Sequence, residues 1–342
     1  MKNNKLLFNN STVLITGATG SFGRSMVKHL LKNYKLKKII IFSRDELKQF
    51  NMSNEIIDKK KTLRFFIGDV RDKERLDLAM KNVDYVFHAA ALKQVPIAEY
   101  NPIEAIKTNI DGAQNVILSS IENNVKKVVA LSTDKAVNPI NLYGATKLAA
   151  DKLFIAANNL SGKEGTKFSV VRYGNVLGSR GSVIPFFKSL KEKKINNIPI
   201  TDRDMTRFFI SIEGAVEFVI KSFKRMYGGE IFVPKIPSVK IIDLAKAIIP
   251  NCKYKIVGIR PGEKVHETLV SREESFNTTE YKDFFLVLPI IDIRDINKIK
   301  KNIYKYKAKK VKNYFEYSSL NNKKYLNIND LKSLLKKLNV SW

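Results

Sequence analysis

The feature that most restricts the fold is Gly17-Ala18-Thr19-Gly20-Ser21-Phe22-Gly23, set between an apolar run at 12–16 and a helical pattern at 25–31. Strand, glycine-rich turn and helix in that order let the backbone close on a pyrophosphate at a helix N-terminus, where free N–H groups and positive potential gather. Glycines at this spacing are weak evidence alone; the strand before and the helix after give them weight. Gly17, Thr19, Gly20, Ser21, Phe22 and Gly23 are thus the first candidate cofactor contacts.

Further apolar runs at 38–42, 64–67, 85–88, 127–131 and 168–172 alternate with helical patterns at 72–81, 103–122 and 142–158. That alternation predicts an α/β chain, a Rossmann-type doubly wound parallel sheet covered on both faces. After Tyr173 the pattern loosens and prolines recur, from Pro185 to Pro261. The expected division is a cofactor-binding Rossmann domain over 1–173 and, over 174–342, mainly a smaller C-terminal substrate-binding domain with an extension. A strand near 230–233 is expected to return to the sheet. Leu331, Leu334, Leu335 and Leu338 keep helical spacing in a lysine-rich tail, which predicts a helix folded onto the body or onto a partner subunit.

The strand ends carry the next signals. Ser43 stands about twenty residues past the last glycine, where an NAD-binding chain commonly has an acid for the ribose 2′-hydroxyl. Ser43 followed by Arg44 suits a 2′-phosphate, so NADP is the expected cofactor; Asp45, next along, argues the other way or forms a surface pair with the arginine. Asp69 and Val70 follow the third strand as candidate adenine contacts, or else serve the start of the next helix. Ala89 and Ala91 follow the fourth, where small side chains let a cofactor lie against the sheet edge.

Composition narrows the class. The chain has 342 residues, 44% of them hydrophobic, enough for a core. Its one cysteine, Cys252, excludes an internal disulfide, and the three histidines, His29, His88 and His266, have no metal-ligand spacing, so no metal is expected. Residues 1–10 hold two lysines, four asparagines and no long apolar run, so no signal peptide is expected, and the cytoplasm is the expected location. The net charge of +28 would fit nucleic acid or a membrane surface. The lysines are dispersed, however, and read as solvated faces; neither a nucleic-acid nor a membrane partner is expected.

Two groups carry the chemistry. Tyr143 and Lys147 are four apart on a predicted helix and share a face. A cation beside a phenol that normally titrates near about pH 10 lowers it, so that Tyr143 can take a proton from an alcohol as hydride leaves. At the end of the fifth strand, Thr133 can bond a reacting hydroxyl, while Asp134 and Lys135 place an acid and an amine at the same mouth. Simple alcohol oxidation needs neither; elimination needs a base and an acid. A surface ion pair is the competing reading of Asp134 and Lys135.

With these motifs in place, the chain resembles the inverting UDP-N-acetylglucosamine 4,6-dehydratases of the extended short-chain dehydrogenase/reductases, which open pseudaminic acid synthesis. The resemblance runs from Gly17 to Phe315-Glu316-Tyr317-Ser318-Ser319 and is strongest over Ser132 to Lys147. It includes the segments beginning at Phe42, Gly68, Arg172, Thr201 and Arg260. Gln94 departs from the histidine more usual there. The resemblance implies NADP, a UDP-N-acetylglucosamine substrate and a homo-oligomer such as a hexamer. It ties Lys135 to inversion at C5, with Lys135 taking the C5 proton and Asp134 protonating the departing C6 hydroxyl. As a base Lys135 must be neutral, so its amine is expected well below its free value of about 10.4, through burial or a nearby Lys93. Lys93 and Asn109 are further expected at the cofactor. Lys93, Asn175, Arg180, Val183, Thr201, Met205, Arg207, Arg260 and Glu263 are expected at the substrate, the arginines as phosphate or uridine contacts.

Two other readings compete. A retaining dehydratase or a hexosamine 4-epimerase would share the fold, and Asp134 with Lys135 argues against both. A non-enzymatic nucleic-acid-binding protein would owe its binding to the basic surface.

Overall fold

A computed structural model describes residues 7–162, 165–178, 182–291, 296–305 and 308–337. Chain order begins β1 (Thr12–Thr16), α1 (Ser21–Asn33), β2 (Lys38–Ser43), α2 (Glu46–Glu55), β3 (Leu63–Ile67), α3 (Lys73–Met80) and β4 (Tyr85–His88). It continues through α4 (Val95–Tyr100), α5 (Pro102–Ile106), α6 (Gly112–Glu122), β5 (Lys127–Thr133), α7 (Leu142–Leu160) and β6 (Lys167–Tyr173). These strands pair in parallel in the order β3-β2-β1-β4-β5-β6. The order reverses between β1 and β4, so their carboxyl ends open a crevice where ligands of such sheets bind. Strands buried on both faces explain the unbroken apolar runs: every residue of β1 and of β4 is buried.

The later half begins with β7 (Asn175–Val176), α8 (Val183–Glu192), β8 (Asn197–Ile200), β9 (Thr206–Ile210), α9 (Ile212–Arg225) and β10 (Ile231–Pro234). Then come β11 (Ser238–Lys240), α10 (Ile241–Ile248), β12 (Lys253–Ile256), β13 (Thr268–Val270), β14 (Thr278–Glu280), β15 (Phe284–Val287), α11 (Ile296–Lys305), β16 (Lys309–Lys310), β17 (Tyr317–Ser318) and α12 (Ile328–Lys337). It returns more than one strand to the main sheet. β10 pairs in parallel with β6, and β15, β14 and β16 follow antiparallel at the edge. α9, β13 and β17 pack into the main core, while residues of α8, β8, β9, α10 and α12 form a second lobe with its own core, including Ile184, Phe187, Ile198, Phe209, Leu244, Leu331 and Leu335. Leu331 and Leu335 seat α12 on this lobe; Leu338 lies outside the described residues.

Two elements differ from the periodicity. α2 buries only Gln49 and Met52, too few for an apolar stripe to announce it. The expected helix over 103–122 is interrupted by a π turn at Lys107–Asp111. The wider turn points Asn109 inward, where its amide bonds Leu92 N at 2.8 Å, Leu92 O at 2.9 Å and Thr146 Oγ1 at 3.0 Å. Asn109 thereby pins the loop after β4 to α7. Among the described residues no helix is long and apolar enough to cross a membrane.

The first turn of α7 rests on the backbone after β5. A Cβ at Gly144 would stand 2.1 Å from the Lys135 carbonyl oxygen, so only glycine allows this approach. Gly144→Ala is expected to destabilise the protein by about 2 kcal/mol or more, read as a lower midpoint in urea denaturation.

Candidate active site

The parallel strands end on a cleft of about 650 Å³ lined from both halves of the chain. At its β1 end the backbone turns sharply. Gly17 has φ +65°, and a Cβ there would meet Ala90 N at 2.8 Å. Thr16 Oγ1 accepts from Ala89 N at 3.1 Å and Ala90 N at 3.2 Å, which draws the β4 loop against the glycine turn. α1 starts at Gly20 with no side-chain cap and no acid in its first turn. By contrast α2, α3, α7 and α9 are closed by Asp45, Asp72, Asn141 and Ser211. A helix N-terminus left open onto a cleft fits an anionic diphosphate.

The β2 end of the cleft carries Thr19, Ser43 and Arg44. Thr19 Oγ1 and Ser43 Oγ are 3.1 Å apart, and Arg44, more than half exposed, lies 3.5 Å from Asp69. Asp45 Oδ1 accepts from Lys48 N at 2.9 Å to cap α2, and its other oxygen pairs with the Lys48 ammonium. The surface partner of Arg44 is therefore Asp69 rather than Asp45. Burial pushes the Asp69 carboxyl up, but Arg71 and Arg44 outweigh it and hold it below the usual range.

The β5 end gathers Thr133, Lys135, Tyr143, Lys147, Lys93 and Asn175 along the same cleft. Thr133 closes β5 and its hydroxyl accepts from Lys135 N at 3.3 Å, fixing the turn that presents the amine. Lys135 Nζ is 3.1 Å from Asp134 Oδ1 and 3.1 Å from Glu267 Oε1. Asp134 is 1% exposed and Glu267 2%, whereas the Lys135 side chain is 23% exposed. Lys135 lines the cleft, whereas Asp134, paired with its amine, is buried and not part of the lining.

Three electrostatic expectations are corrected here. Burial opposes the Lys135 charge, but Asp134 and Glu267 together exceed it and hold the ammonium above its ordinary value, not below it. Lys93 takes the lowering instead, from its own burial and then from the Lys135 charge. Tyr143 is pushed up to about 12 by burial, relieved in part by Lys135 and by the Thr133 hydroxyl. Lys147 is not what relieves the resting phenol: burial lowers Lys147, and Asp151 supplies its counter-charge.

Behind this pair runs a buried charge chain that the residue pattern alone did not raise. Ser132 Oγ donates to Asp151 Oδ2 at 2.7 Å, Arg172 Nη2 lies 3.6 Å from the same oxygen, and Arg172 Nη1 is 2.9 Å from Glu274 Oε2. Asp151 was readable in principle, because 143, 147 and 151 repeat every four residues on one helix face. Glu267 had no such signal, since its nearness to Lys135 arises only from tertiary folding.

Other candidates lie elsewhere. The cleft lining does not include Asn109, Val183, Thr201, Met205, Arg207, Arg260 or Glu263. Arg207 is buried and donates to the carbonyls of Thr206, Lys264 and Val265. Arg260, largely exposed, is 3.8 Å from Glu263. Asn141 Nδ2 donates to Gly262 O at 2.7 Å and Lys264 Nζ to Val137 O at 2.6 Å, which ties the 260–264 segment beside the start of α7. Arg180 lies outside the described residues.

Beneath the cleft, His88 Nδ1 and Thr16 Oγ1 are 2.9 Å apart. Burial, aided by the Lys147 charge, pushes His88 down to about 3. The unfolded chain therefore takes up this proton first as pH falls, and stability is lost between about 6.5 and about 3, with a slope of at most about 1.4 kcal/mol per pH unit. Urea denaturation across that range should show His88→Asn losing part of the slope.

The sequence profile of the family described as "Polysaccharide biosynthesis protein" matches residues 13–289. The chain is 57% identical over 330 residues to a Campylobacter jejuni protein named UDP-N-acetylglucosamine 4,6-dehydratase (inverting), covering 96% of this chain and 98% of that one. It is 45% identical over 337 residues to a Rickettsia bellii protein named UDP-glucose 4-epimerase, covering 96% of each. The solved structure of Pen from Bacillus thuringiensis superposes with a TM-score of 0.87 at 38% identity, over 97% of this chain and 99% of that one.

Proposed function

The chain belongs to the polysaccharide biosynthesis protein family of extended short-chain dehydrogenase/reductases, and from that membership we propose that it is an NADP-dependent UDP-N-acetylglucosamine 4,6-dehydratase inverting C5. The carrying observation is that Lys135 lines the same cleft as Tyr143 and Lys147 while its amine is paired with the buried Asp134. An enzyme that only moves hydride at C4 has no use for that buried acid–amine pair; one that also expels water does.

The open α1 terminus and Gly17 turn would hold the cofactor diphosphate, and Ser43 and Arg44 its 2′-phosphate. NADP bound there supplies a hydride acceptor that later returns the hydride. Tyr143 takes the proton of the C4 hydroxyl, Thr133 orients that hydroxyl, and Lys147 steadies the charge that develops. The ketone so formed acidifies C5–H, and the Asp134–Lys135 pair exchanges the protons that let the C6 hydroxyl leave as water. Asn175, on the cleft wall, is assigned to the sugar or its diphosphate. The product is the 4-keto-6-deoxy-L-arabino sugar nucleotide, the opening intermediate of pseudaminic acid synthesis. We further place the protein in the cytoplasm as a homo-oligomer.

The Rickettsia relatives named UDP-glucose 4-epimerase give the second reading, and one experiment separates the two. Incubation with UDP-N-acetylglucosamine in heavy water, followed by mass spectrometry and NMR, should give loss of water, deuterium at C5 and inverted configuration. An isomer of unchanged mass would establish the epimerase; loss of water with C5 retained would establish the other stereochemical course. Lys135→Ala should form no inverted product while reduced nicotinamide still forms. Arg44→Ala should raise KM for NADP about tenfold while leaving NAD nearly unchanged.

A further inference from the structure

Glu267 lies far along the chain from the strand-end residues, yet its Oε1 is as close to Lys135 Nζ as Asp134 is, at 3.1 Å. It is held there with little freedom. Glu267 N donates to Ser319 Oγ at 2.9 Å, and Ser319 N donates to Glu267 O at 2.7 Å. Arg207 Nε stands 3.9 Å from the same carboxylate oxygen. The other oxygens, Glu267 Oε2 and Asp134 Oδ2, are buried without hydrogen-bond partners among the described residues. Two carboxylates therefore share one ammonium, an arrangement that does not favour both staying charged.

Resting on the dehydratase reading above, we propose that Glu267 is the positioning residue of Lys135: it serves as the fixed counter-ion that presents Nζ to the sugar as an N–H donor, and it leaves Asp134 to exchange protons. Two directions agree with this division. Despite burial, the Glu267 carboxyl is held below its usual range by Lys135 and Arg207, so it keeps its charge. Burial pushes Asp134 up, with the Glu267 charge adding to it, so Asp134 is the carboxyl more ready to hold a proton. Lys135 then enters the cycle charged. Asp134 takes the C5 proton and passes it to the departing C6 hydroxyl, which leaves as water; once hydride has returned to C6, the Lys135 Nζ–H bond breaks and a C5–H bond forms from the electron pair of the C4–C5 enolate. The C4 ketone is restored, nothing is oxidised or reduced in that transfer, and the neutral amine regains a proton from the cleft. This reverses the expectation that Lys135 acts as the initial base.

The test compares the full-length wild type, Glu267→Gln and Glu267→Asp with NADP and UDP-N-acetylglucosamine. If the wild type fails to dehydrate the sugar, the functional reading falls. If the wild type does so, Glu267→Gln should lose kcat by about 30-fold with KM within about threefold. The alkaline limb of its kcat profile should move down by about one pH unit, because Lys135 has lost a counter-ion. Glu267→Asp, which keeps the charge, should recover the wild-type profile. A Glu267→Gln enzyme with an unmoved pH profile, or with only KM raised, overturns the proposal. Should Glu267→Gln not fold, lysine-ε carbon-13 spectra of the wild type, assigned with Lys135→Gln, read the amine directly. A Lys135 that titrates at or below an ordinary lysine overturns the proposal, and one above it supports it.

Discussion

The site depends on one ammonium being claimed from both halves of the chain. Lys135 reaches the cleft from the end of β5, and its second carboxylate, Glu267, comes from the loop before β13. A buried ion pair is a poor source of stability, because desolvation consumes most of the attraction. What it does supply is orientation: an amine between two near-immobile carboxylates has few places to go. The backbone is fixed as well, since Gly144 lets α7 lie against the Lys135 carbonyl while the Thr133 hydroxyl closes the turn.

The same logic extends behind Tyr143. Lys147, Asp151, Arg172 and Glu274 form a run of alternating charge within the fold. Removing any one would strand a neighbour without compensation in a medium of low polarity. α7 is thereby fastened to β6 by charge as well as by apolar packing. The glycine turn and the open α1 terminus, at the other end of the cleft, use the opposite device: backbone donors left unmatched.

Much of this was legible in the residues, and the exceptions have physical causes. Strands buried on both faces leave continuous apolar runs, so β1, β2, β4, β5 and β6 stand within a residue or two of where the pattern puts them. The glycine turn and the Tyr143–Lys147 face were legible because their spacing is local. α2 was not, because a helix that buries only two side chains carries no stripe. The charge state of Lys135 is not legible, because burial alone predicts a lowered amine and Glu267, which reverses that, is brought near only by tertiary folding. Arg207 looked like a phosphate ligand by residue type, yet the fold turns its guanidinium onto three carbonyls.

Ser319 grips Glu267 through both of its backbone polar groups, and Tyr317–Ser318 pairs with the strand that follows Glu267. These anchors come from almost the last part of the chain. During synthesis the glycine-turn half emerges first and can close its own sheet, but the counter-ion of Lys135 is not locked until the segment around 317–319 has left the ribosome. A nascent chain could thus hold nucleotide well before it is competent to act on a sugar, a timing written into the order of its residues.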